Sequence, residues 1–134
     1  PAHPTWDFNY FYDASVPADR YEHADGQYDE VCVGFVQGTA CTVINSADGN
    51  MYLQNPNTGE CCQCRESLAV RPDWLQDGGT TYQGETVVDN VDTNEWLKYG
   101  ASDNHYYATT DAAQQPVRYM EHKNGKLKQW DFVK

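Results

Sequence analysis

The chain has 134 residues, is 40% hydrophobic and 13% aromatic, and carries a formal net charge of -11 at pH 7. That length reads as a single domain over residues 1–134, with the composition of a globular rather than a disordered chain. The acidic surface repels a phosphate backbone, which excludes nucleic acid as a partner, and no apolar run approaches the ~18 residues that a membrane span needs.

Ten Tyr, four Trp and four Phe accompany little Leu or Ile. Aromatic and β-branched side chains suit pleated, half-buried surfaces, so strands are expected rather than a helical bundle. The opening PAHPTWDFNYF has no basic n-region and no apolar h-region, so a secreted form would already have lost its signal. TWDFNYFYD alternates: Trp6, Phe8, Tyr10 and Tyr12 share one face, and Asp7, Asn9 and Asp13 lie opposite with Phe11. In DEVCVGFVQ, Val31, Val33 and Phe35 face one way and Cys32, Gly34 and Val36 the other, which predicts a central strand with Gly34 at a bulge or close approach. ACTVINS and NMYLQN flank Asp48-Gly49, a hairpin turn, and NPNTGE makes a second turn.

RPDWLQ suggests a short helical turn with Pro72 near its start. TYQGETVVDNVDTNEWLKYG reads as two strands about a turn near Asp89–Thr93, and NHYYATTD as another strand. VRYMEHKNGKLKQWDFV is a hairpin with Asn124-Gly125 at its tip. Turn signals recur at roughly ten-residue spacing, which predicts an all-β sheet, sandwich or barrel.

Cys32, Cys41, Cys61, Cys62 and Cys64 do not fit a zinc site, because only Cys61 and Cys64 have a usable spacing. Nothing around Cys61-Cys62-Gln63-Cys64 reads as the βαβ unit of a redox motif. A disulfide staple is expected instead, with Cys62 and Cys64 on one strand face and Cys61 on the other. At least one of these three is expected to bond Cys32 or Cys41.

Catalytic signatures are missing: there is no G-x-S-x-G, no H-E-x-x-H and no H-x-E, so a non-enzymatic protein is expected. DNVDTNE offers Asp89, Asp92 and Glu95 as oxygen ligands for calcium. It lacks the EF-hand pattern, and a solvated acidic turn accounts for the same residues.

CCQC, PDWL, YQG, Trp96, NHYYATTDAAQQPVRY and the terminal QWDF, in that order, resemble the ependymin-related family of secreted proteins over residues 29 to 134. The resemblance implies an extracellular, disulfide-stapled, curved antiparallel sheet or half-barrel with a hydrophobic concave side. It implies lipids or carotenoid-like pigments as ligands, and calcium in some members. Family members are usually longer at the N-terminus and often glycosylated, whereas no N-x-[ST] sequon is present here.

On such a sheet the candidates for an apolar-ligand surface are Trp6, Phe8, Tyr10, Val33, Phe35, Tyr82, Trp96, Tyr106, Tyr119, Trp130 and Phe132. The same residues could fill an ordinary core. The alternative function is an extracellular interaction or structural subunit, assembling as a homodimer or larger complex through a sheet surface, with the odd cysteine suited to an interchain bond.

Overall fold

A computed structural model describes residues 7–132. Trp6, one of the expected ligand-binding residues, lies outside this range. The chain divides into two compact units, before and after the step from Pro72 to Asp73. Each unit holds one five-stranded antiparallel sheet, and neither sheet closes into a barrel. The all-β expectation holds, and no α-helix occurs among the described residues.

The first unit is a meander of β1 (Phe8–Asp13), β2 (Ala18–His23), β3 (Cys41–Asn45), β4 (Asn50–Gln54) and β5 (Cys61–Glu66), hydrogen-bonded in that order. The Asp48-Gly49 turn joins β3 to β4 as expected, with Gly49 at φ 88°. β2 was not legible in the sequence. Its inward positions are Asp19 and His23, both buried, where a strand pattern leads one to look for apolar residues. Asn45 donates to one Asp19 carboxylate oxygen across the sheet at 2.6 Å, and His23 Nε2 lies 3.3 Å from the Asp29 carboxylate. A bulge in the β4–β5 pairing leaves Cys64 as the extra residue of β5.

The stretch 29–37 corrects two expectations. It is not a central strand: two 3-10 turns, Gly26–Tyr28 and Cys32–Gly34, occupy the segment between β2 and β3. The Asp29 carboxylate accepts from the amides of Val31 at 2.8 Å and Cys32 at 2.9 Å, and this local bonding outcompetes a strand ladder. Nor do Cys61, Cys62 or Cys64 bond the earlier cysteines. Cys32 and Cys41 bond each other, with Cα atoms 6.1 Å apart, and the three later thiols are free. The turns fold the nine-residue separation back on itself, so the nearest partner in space is also the nearer one in sequence. The disulfide is fully buried in a core of Val36, Val43, Met51 and Leu53, with Tyr21, Val31, Phe35 and Cys62 packed against it. The close approach expected at Gly34 lies at Gly26 instead: a Cβ there would sit 2.6 Å from Val36 and 2.9 Å from the Cβ atoms of both bonded cysteines.

The second unit is β6 (Thr80–Val88), β7 (Val91–Tyr99), β8 (Asp103–Thr109), β9 (Pro116–Lys123) and β10 (Lys126–Asp131), again in sequential order. Asp89 and Asn90 form the β6–β7 turn at φ 50° and 64°, and Asn124 and Gly125 form the β9–β10 turn at φ 51° and 73°. Positive φ at both central residues marks the hairpin turns whose twist matches the flanking strands. RPDWLQ makes one hydrogen-bonded turn, in which the amides of Gln76 and Asp77 donate to the Asp73 carbonyl, and no helix follows.

Candidate functional site

Register decides which side chains of the second sheet meet. Tyr82 pairs with Trp96, Trp96 with Tyr106, Tyr106 with Tyr119, and Tyr119 with Trp130. Residues opposite one another in antiparallel strands project from the same face, so these five rings form one row across all five strands. Ring centroids are 5.7 Å apart for Tyr82 and Trp96, 6.1 Å for Trp96 and Tyr106, and 4.9 Å for Tyr119 and Trp130. At a strand spacing of ~4.8 Å the row is roughly 19 Å long. Tyr82 is exposed and the other four rings are half-buried.

Polar groups fix the ends of the rings. Tyr82 donates its hydroxyl to Asn94 at 2.8 Å and Tyr119 to Asn104 at 2.5 Å. Burial, aided by the Glu121 charge, pushes the Tyr119 phenol up to about 12, and burial raises that of Tyr106. Trp74, in the segment before β6, presents an edge to Tyr119 at 6.1 Å. The Lys98 ammonium lies 5.3 Å from the Trp74 ring centre, donates to the Trp74 and Gly78 carbonyls, and pairs with Asp77. Trp74 of PDWL adds a ring that strand alternation does not point to, since it precedes β6.

The opposite face of the same sheet carries a charged, hydrogen-bonded cluster beside Leu97 and Met120. Glu95, Tyr107, Arg118 and Asp131 pair in register across β7 to β10. One Glu95 carboxylate oxygen contacts His105 Nδ1 at 2.8 Å and accepts from the Tyr107 hydroxyl at 3.0 Å. Burial, then the Glu95 bond, pushes the Tyr107 phenol up to about 12. Arg118 donates to Asp131 at 2.5 Å and to Asp89 at 2.7 Å, and the Asp131 bond raises its guanidinium further. The calcium candidates are thus engaged separately: Asp89 in the turn by Arg118, Glu95 by His105 and Tyr107, while strand alternation points Asp92 away from Glu95.

In the first unit Phe8 and Tyr10 pack with β2. Phe8 is 5.8 Å from Tyr21 and 5.2 Å from His23, Tyr10 is 4.8 Å from Tyr21, and Phe11 on the other face lies under Arg20 at 4.4 Å. The expected alternation of β1 is therefore present, and Tyr21 is a member the sequence did not single out. Two open grooves flank this sheet. One of about 600 Å³ is lined by Phe8, Arg20, Glu22, His23, Thr42 and Ile44; the other, of about 490 Å³, by Glu30, Val31, Phe35, Leu53, Cys62 and Cys64. Val33 is exposed on its turn, and Phe132 follows β10 with its amide bonded to the Val117 carbonyl at 3.0 Å.

Among the described residues, His23, Asp29 and Cys32 bring ligand atoms within reach of one another. The Cys32 sulfur is held in the disulfide, so it supplies no thiolate, and the trio does not make a metal centre. Burial raises the Asp29 carboxyl, but the neighbouring His23 ring and the two turn amides outweigh it and hold the group below the usual carboxylate range.

No protein-family model matches the chain, and no curated protein matches it.

Proposed function

We propose that the chain is a secreted, non-catalytic protein that binds an elongated apolar molecule, of the fatty-acyl or polyene kind, along the aromatic row of its second unit. The observation that carries this reading is the direct pairing of Tyr82, Trp96, Tyr106, Tyr119 and Trp130 across five strands. Such a row offers ring area in two stretches, Tyr82–Trp96–Tyr106 and Tyr119–Trp130, with hydroxyls at intervals, suited to a long apolar body with a few oxygens. Binding would rest on area removed from water: each ~100 Å² of contact contributes about 2.5 kcal/mol, less the cost of ordering the guest. The resemblance to ependymin-related proteins supports the same ligand class. The buried disulfide supports an oxidising compartment.

The full chain titrated with a fluorescent polyene fatty acid tests the reading. Saturable quenching of Trp emission is expected, with affinity reduced at least tenfold in Trp96→Ala and in Tyr106→Ala. Saturable binding that ignores both changes would reject it.

The alternative, an extracellular subunit that assembles with other chains, draws on one observation. β5 is an edge strand carrying the free thiols of Cys61, Cys62 and Cys64, two of them exposed. A covalent dimer on a non-reducing gel, lost in Cys61→Ser/Cys64→Ser, would support it.

A further inference from the structure

On the face of the second sheet opposite the aromatic row, His105 on β8 pairs with Met120 on β9, and Asp103 pairs with His122. Alternation puts all four side chains on the same face. The His105 and His122 ring centroids are 5.7 Å apart, with the planes tilted by 59°. A zinc-sized ion bound about 2.0–2.1 Å from one nitrogen of each ring at a tetrahedral angle sets ring centres roughly 5–6 Å apart. The observed separation is in that range before any rearrangement.

His105 is also pre-oriented. Glu95 holds its Nδ1 at 2.8 Å, and Tyr107 holds the same carboxylate oxygen at 3.0 Å. A carboxylate beside Nδ1 keeps the proton on that nitrogen and leaves the Nε2 lone pair of a neutral ring for a ligand bond. Metal-binding histidines almost always have such a partner on the nitrogen that does not touch the metal. His122 and Asp103 are exposed, so their side chains turn freely to complete a coordination set. Asp103 lies two residues from His105 and directly opposite His122 on the same face, so a turn of its exposed side chain would bring its carboxylate in as a third ligand.

We propose that His105, His122 and Asp103 form a surface site for a divalent transition metal of the zinc and copper class, with Glu95 as the positioning residue for His105. Imidazole nitrogens with one carboxylate favour these ions over calcium, which takes oxygen ligands in larger number. The free coordination positions face solvent, so the ion keeps water or accepts a donor from a second molecule. The site lies on the face opposite the aromatic row and does not depend on ligand binding there.

Zinc alone, titrated into the full chain, tests the site by imidazole 1H–15N NMR, which separates the histidines from the free thiols. The expected result is a saturable shift of the His105 and His122 ring nitrogens that persists in Cys61→Ser/Cys64→Ser, while His23 stays unchanged. His122→Ala, at an exposed position that leaves the sheet intact, should weaken this response at least tenfold. Glu95→Gln should weaken it 10- to 100-fold with both rings still present. Zinc perturbing only the Cys61–Cys64 segment would overturn the proposal, as would unchanged His105 shifts in His122→Ala.

Discussion

Tyr119 and Trp130 stand directly opposite each other on β9 and β10, with ring centroids 4.9 Å apart. This pair anchors β10, the edge strand of the second sheet, to the rest of the aromatic row. Aromatic pairs contribute about 0.5–1.5 kcal/mol beyond the area they bury. Trp130→Ala should therefore lower stability by about 1–2 kcal/mol, read by chemical denaturation, and should shorten the ligand-binding row. An unchanged midpoint would mean that the edge strand is held by its ladder bonds alone.

Tyr107 and Tyr119 both have phenols pushed up to about 12 from an ordinary value of 10. Between pH 10 and 12 the unfolded chain has released these protons while the folded chain retains them. Their contribution is therefore full below pH 10 and declines as pH rises through 12. Absorbance at 295 nm should show two classes of tyrosine, with the late class titrating together with loss of sheet signal. Removing either late hydroxyl, as in Tyr107→Phe, should reduce that class.

The Cys32–Cys41 bond lies at the centre of the first unit's core. A loop of this length contributes about 2–3 kcal/mol, and Cys32→Ala/Cys41→Ala should lose at least that much because both sites are fully buried. Thiol titration of denatured, unreduced protein should count three free groups, and five after reduction. In the native protein Cys62 should react more slowly than Cys61 and Cys64, since burial and then the neighbouring thiols push its pKa up.

Gly26 and Gly34 should separate cleanly. A methyl group at Gly26 meets Val36, Cys32 and Cys41 at 2.6–2.9 Å, whereas nothing lies within 4 Å of one at Gly34. Gly26→Ala should cost about 1–3 kcal/mol by overpacking, and Gly34→Ala should leave the melting temperature near that of the parent.

The β class and the hairpins at Asp48-Gly49 and Asn124-Gly125 are written in the sequence; Tyr82, Trp96, Tyr106, Tyr119 and Trp130 stand there only among eleven candidates, and register groups them into a row. Turn chemistry and period-2 alternation are local, and a few adjacent residues carry them. The sequence did not reveal β2, because that strand buries Asp19 and His23 rather than apolar side chains. It misassigned residues 29–37, because the capping carboxylate of Asp29 competes with a strand in a way that alternation does not register. The Cys32–Cys41 pairing, and the convergence of Glu95, His105 and Tyr107 while Asp92 turns away, come from the folded sheets. The reason is register: a one-residue slip between two strands changes every cross-strand neighbour, and that choice is made by the whole sheet at once.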